Sequence, residues 1–263
     1  MSRPAAAVRN GYCKHGFPSP LCVSCLAQPP CVHNLPTGSC FQCLMLSTAV
    51  VPASATVAEL PAKLDKEIRM LAALCYGEGS TNNVFEEMAA LANVYVRQAK
   101  ARKKKSVSDL VLSEPTYSYV VGDGNKRYKK FKEASDEQVK NDAGMSTAVR
   151  AALNAVDPAG RDYSNGAYFW DGADIKTNYA GHPKVKKGIK FSDPTHNIYG
   201  IKETTKLVIE YWKVKDKTTG REVNGKERGR YDHVYISTAA YGGTIFWKLN
   251  PDYVRATGGV EYK

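Results

Sequence analysis

The sequence predicts an α+β protein: a mostly helical body with small β elements, preceded by a small metal-binding module. Three observations carry this expectation. Apolar residues recur at intervals of three and four over 68–78 and again over 84–95, the spacing of helices with a buried face. Clear alternation with period two is confined to the chain after Lys202. Six of the seven cysteines fall within the first 43 residues, ahead of both patterns.

The cysteines form a repeat. Cys13-Lys-His15 leads after six residues to Cys22-Val-Ser-Cys25, and Cys31-Val-His33 leads at the same interval to Cys40-Phe-Gln-Cys43. Each copy supplies three thiolates and one imidazole, the ligand count of a closed tetrahedral zinc site. Three disulfides are the competing reading, but they give no reason for a histidine at the same place in both copies. The expectation is two structural zinc ions held by Cys13, His15, Cys22 and Cys25 and by Cys31, His33, Cys40 and Cys43, with ligand exchange between the copies left open. Such sites have no open position, so no metal is expected to be needed for catalysis, and metal binding would supply the folding free energy of so small a segment. The module spans 1–46, a Pro- and Ala-containing linker 47–61, and the body 62–263.

In the body, Ile68, Leu71, Ala72 and Cys75 make the stripe of a first helix, and Glu78 falls three residues later on the same face, between Gly77 and Gly79. A carboxyl group held against apolar packing resists ionisation and can still carry a proton near neutral pH, which a general acid requires. The plainer alternative is a helix-terminal Glu turned to solvent. Asn83-x-x-Glu86 reads as a capping box for a second helix with Val84, Met88, Leu91, Ala92 and Tyr95 on its buried stripe. Glu87 lies off that stripe and is the nearer candidate for a second carboxylate, with a solvated residue as the plainer reading. Tyr117 to Val121 alternates weakly into Gly122-Asp-Gly124, as a strand entering a turn would.

Ser135 and Ser146 stand where N-caps would be, and Ala148, Val149, Ala152, Leu153 and Val156 give the later helix its face before Asp157-Pro158 stops it. Asn165 to Trp170 gathers an amide and three aromatics, side chains suited to sugar hydroxyls and C–H faces. Leu207, Ile209 and Tyr211 alternate, Lys217 to Gly220 signals a turn, and Tyr231 to Ile236 and Thr244 to Trp247 read as further strands. His182, His196 and His233 are scattered and read as surface or core histidines rather than ligands.

Leu71-Ala-Ala-Leu-Cys-Tyr-Gly-Glu-Gly-Ser80, Glu87-Met-Ala-Ala-Leu-Ala-Asn-Val-Tyr-Val-Arg97 and Asn165-Gly-Ala-Tyr-Phe169 together resemble the cell-wall hydrolase family that includes the spore-cortex-lytic enzymes. The resemblance covers roughly 66–172, with a weaker echo at Gly242-Gly-Thr-Ile-Phe-Trp247. The family's adjacent Asn-Arg is split here into Asn93 and Arg97, and its hairpin corresponds to Thr116-Tyr-Ser-Tyr119. The resemblance implies a lysozyme-like fold with Glu78 as the catalytic acid and with Glu87, Asn93, Ser118, Tyr119, Asn165, Tyr168 and Phe169 as substrate-binding residues. Residues 174–241 depart from the compact family pattern, so no contacts carry over there.

The function expected is cleavage of the β-1,4 bond between N-acetylmuramic acid and N-acetylglucosamine in peptidoglycan, by a lytic transglycosylase or a muramidase. The scarcity of fixed carboxylates near Glu78 favours the anhydro-forming outcome. Two alternatives stand beside it: a cysteine amidase using Cys75 with a histidine base, and a zinc-dependent nucleic-acid-binding protein that is not an enzyme. A formal charge of +11, from 37 Lys and Arg against 26 Asp and Glu, suits an anionic partner, whether murein, lipid or nucleic acid. Nucleic acid is the weaker choice, because no recognition helix or RNP-like signature accompanies the charge.

No stretch has the run of apolar residues that membrane insertion needs, and the N-terminus lacks a secretory pattern. The expectation is therefore a protein made in the cytoplasm that acts in the periplasm or wall of a target bacterium. It would be an antibacterial toxin delivered by a contact-dependent apparatus such as type VI secretion, with a carrier and an immunity protein as partners.

Overall fold

The structure, a computed structural model, describes residues 60–263. The expected zinc module, the eight residues expected to ligate it and most of the linker lie outside the described residues. The body is α+β. Its helical part comprises α1 (Lys66–Glu78), α2 (Phe85–Ala101), α3 (Val107–Ser113), α4 (Pro115–Gly122), α5 (Lys126–Glu133), α6 (Asp136–Asn141) and α7 (Ala143–Val156). Then follow β1 (Phe169–Asp171), α8 (Asp174–Thr177), α9 (Pro183–Lys187), β2 (Ile189–Lys190), β3 (Val208–Lys215), β4 (Glu222–Tyr231), β5 (Tyr235–Tyr241), β6 (Thr244–Leu249) and α10 (Pro251–Thr257).

Helix α1 starts at Asp65, whose side chain accepts from the Glu67 and Ile68 amides. It packs on α2, α5 and α7, and every residue from Leu71 to Gly77 is buried. Helix α2 is likewise buried without a break from Glu87 to Tyr95. Both helices are therefore central and enclosed nearly all round, where sequence spacing predicts one-sided stripes. That is why Glu87 is buried and not solvated.

Other local expectations change too. No side chain caps α2: Val84 is its N-cap, Glu86 is exposed, and Asn83 adopts φ 54° with its Oδ1 accepting from Arg127 Nη2 at 2.9 Å. Ser135 does cap α6, in a full capping box with Gln138. Ser146 lies inside α7, whose cap is Asp142, accepting from the Gly144 and Met145 amides at 3.0 Å. Asp157 ends that helix as expected, although Val156 is exposed. The segment 117–121 is helical, because Pro115 stands at the first position of α4, where its fixed φ suits a helix start.

A four-stranded sheet in the order β1-β6-β5-β2 lies against the helical part, with antiparallel β1/β6 and β6/β5 pairs and a parallel β5/β2 pair. Its two faces serve two cores. Phe246 and Ala239 join the helical core, while Ile245, Trp247 and Leu249 pack with Ile175, Val185 and Ile189 on the other side. Strand β1 is a free edge, so side chains at its rim border open space. Strands β3 and β4 form a separate two-stranded ribbon, joined by a turn in which the Gly220 amide donates to Asp216 O and Gly220 adopts φ 69°, and covered on one side by α10. Among the described residues no helix is long and apolar enough to cross a membrane.

Candidate functional site

Glu78 ends α1 at the wall of a cleft of about 540 Å³ that opens along the edge of β1. Thr116 and Tyr117 of α4 line one side, and Phe169, Trp170 and Asp171 of β1 with Gly172, Asp174 and Lys184 line the rest. Gly77 lets this wall close up. A Cβ there would lie 2.8 Å from Val120 Cγ2 and 3.0 Å from Tyr128 Cβ, so only glycine lets α4 and α5 approach α1 this closely.

Burial pushes the Glu78 carboxyl up to about 7. The polar edge of the Trp170 side chain opposes the shift by favouring the ionised form, while the negative charges of Asp123 and Asp174 add to it. Trp170 is itself fixed by Tyr95 and Tyr117, whose ring centroids lie 5.2 Å and 5.8 Å from it. Glu78 is thus a carboxyl that still holds a proton near neutrality beside an open, aromatic-lined groove.

Glu87 occupies a different place. One carboxylate oxygen accepts from the Ser80 amide at 3.0 Å and the Ser80 hydroxyl at 2.6 Å. The other accepts from the Gly243 amide and the Thr244 hydroxyl, both at 2.9 Å. With both oxygens engaged and no exposed surface, Glu87 clamps the loop after α1 to the β5–β6 turn and is not among the residues lining the cleft. Gly242 in that turn has φ 57°, and a Cβ on it would sit 2.3 Å from Glu87 Oε2.

The remaining expected substrate residues divide. Phe169 lines the cleft. Ser118 and Tyr119 belong to α4 beside Thr116 and Tyr117, and their side chains lie outside the described residues. Asn93 is buried and accepts from the Tyr163 amide at 2.9 Å. Arg97 bonds Asp162, Ser164 and the Ala167 carbonyl. The separated Asn and Arg therefore hold the 162–168 loop that leads into β1. Asn165, at φ 48°, donates to Thr238 O at 2.9 Å, and Tyr168 lies under the Arg97 guanidinium at 5.7 Å. These four residues shape the cleft's support and do not line it.

Three residues of the cleft wall and one buried neighbour, His182, had no signal in the sequence. Asp171, Asp174 and His182 bring a ligand atom each to within 4.8 Å of one another, and Lys184 Nζ reaches Asp171 Oδ1 at 2.7 Å. The chain returns through α8 and a turn to bring His182 back beside the aspartates, a closure that spacing alone does not reveal. Cys75 is fully buried, and burial, with the nearby Glu78 charge, pushes its thiol far above the ordinary range. No family model matches the chain, and neither a curated protein nor a solved structure does.

Proposed function

We propose that this cleft binds peptidoglycan glycan strands and cuts the β-1,4 bond between N-acetylmuramic acid and N-acetylglucosamine. The observation that carries the reading is Glu78, a carboxyl protonated near neutral pH on the wall of a groove lined by Tyr117, Phe169 and Trp170. Glu78 would deliver its proton to the leaving glycosidic oxygen as the sugar develops oxocarbenium character. The aromatic faces would pack on sugar C–H surfaces.

Asp171 and Asp174 share the cleft with Glu78. They supply the neighbouring carboxylates that sequence reasoning did not find, and they favour hydrolysis by a held water over closure of an anhydro ring. The amidase reading loses support from the burial of Cys75, because a thiol that is neither exposed nor ionisable is a poor nucleophile. Action in the periplasm or wall of a target bacterium, after delivery by a secretion apparatus and against an immunity partner, belongs to the same proposal.

Mass spectrometry of murein digested with wild-type and Glu78→Gln protein tests this reading. Muramic reducing ends from the wild type and a loss of at least ~100-fold in the variant are expected. Anhydro ends would return the assignment to a transglycosylase, and freed peptide stems on intact glycan would overturn it.

A further inference from the structure

His182 Nε2 stands 3.3 Å from Asp171 Oδ1 and 3.3 Å from Asp174 Oδ2. Nitrogen and oxygen ligands ~2.0 Å from a tetrahedral zinc-sized ion are spaced ~3.3 Å from each other, so this gap has the dimensions of a coordination edge. A second observation points to a cation. Asp171 is only 8% exposed, yet its Oδ2 is buried without a hydrogen-bond partner. An ion-pair network that fully served this carboxylate would not leave one of its oxygens bare. A cation held by both oxygens of Asp171 would satisfy Oδ2 while Oδ1 keeps the edge shared with His182.

The charges agree. Two carboxylates face the one Lys184 ammonium, which contacts Asp171 Oδ1 at 2.7 Å and offsets part of their negative charge. We propose that Asp171, Asp174 and His182 hold one divalent metal ion of the zinc or manganese class on the wall of the Glu78 cleft. Three protein ligands leave a coordination position for water or a substrate oxygen, unlike the closed sites expected of the cysteine repeats. The idea that this position faces glycan rests on the function proposed above; the binding of the ion does not.

Manganese(II) alone is the probe, because thiolate ligands such as those in residues 13–43 suit it poorly and carboxylate and imidazole suit it well. The full chain, freed of loosely held metal, is titrated and unbound Mn²⁺ is followed by its electron paramagnetic resonance signal. One ion per chain should bind and be displaced by added Zn²⁺. Asp171→Asn and His182→Ala should weaken binding by at least ~100-fold and Asp174→Asn by at least ~10-fold, and Lys184→Met should tighten it. Asp174 is 64% exposed, so its variant folds even if a buried one does not. Glu78→Gln should bind as the wild type does, which separates this claim from the fate of the glycosidase reading. Absence of saturable binding at ~1 mM Mn²⁺, or binding that Asp174→Asn and Asp171→Asn leave unchanged, overturns the site.

Discussion

The Trp170 side chain favours the ionised form of Glu78, and so works against the burial that keeps Glu78 protonated. Removing that influence disfavours the carboxylate. Trp170→Phe should therefore raise the Glu78 pKa, and the alkaline limb of the murein-cleavage pH profile, set by loss of the acid's proton, should move to higher pH. A limb that stays in place or moves down would show that Trp170 does not tune the acid.

The same burial has a stability signature. The Glu78 carboxyl rises from the ordinary 4.5 to about 7 in the fold, so the folded chain binds the proton more tightly than the unfolded one. Its contribution is fully present below 4.5 and is lost as pH rises through about 7. Glu78→Gln, which carries no charge at any pH, should match the wild type near pH ~4 and exceed it by up to about 3 kcal/mol above pH ~8. Urea melts at the two pH values measure the difference, and equal stability at both would refute the shift.

Glu87 and Glu86 are neighbours with opposite expectations. Glu87→Ala leaves the Ser80 and Gly243 amides and the Ser80 and Thr244 hydroxyls without their acceptor and should cost about 3 to 5 kcal/mol. Glu86 is exposed and takes no part in a cap, so Glu86→Ala should stay within about 0.5 kcal/mol of the wild type. Thermal melts of the pair settle the ranking.

If the two cysteine repeats each close around zinc, the full chain purified without added metal should carry two more zinc ions than a chain starting at residue 60, and elemental analysis of the two reads the difference directly. A chain starting at residue 60 should lose both ions and still cut murein. Three disulfides in place of zinc would overturn the ligand assignment.

Murein is outside the cytoplasmic membrane. Bacteria should therefore tolerate the protein when it is kept in the cytoplasm and lyse when an added signal peptide carries it to the periplasm. Toxicity confined to the cytoplasmic form would point to a nucleic-acid target instead.

Helical periodicity placed Glu78 correctly, because Ile68 to Cys75 carry enough of a stripe to phase the helix on which it sits. It failed for Glu87, since a helix enclosed on every side hides a buried carboxylate among residues that no period singles out. It failed for Tyr117 to Val121, where β-branched and aromatic residues imitate a strand within a short helix. The capping box at Asn83 misled because the Asn side chain is committed to Arg127. The Asp171, Asp174 and His182 grouping arises only when the chain folds back on itself, and it has no trace in local sequence.

Glu87 and Gly243 are 156 residues apart along the chain, yet one hydrogen bond joins them beside the helix that ends at Glu78. A contact that distant forms late, after most of the chain has been ordered, because closing so long a loop carries a large entropic cost. The loop that follows Glu78 is thus pinned only once the β5–β6 hairpin has been made and docked. During synthesis the helical part emerges ahead of β1 and of the β5–β6 hairpin, so Glu78 acquires the groove beside it only when those later segments arrive.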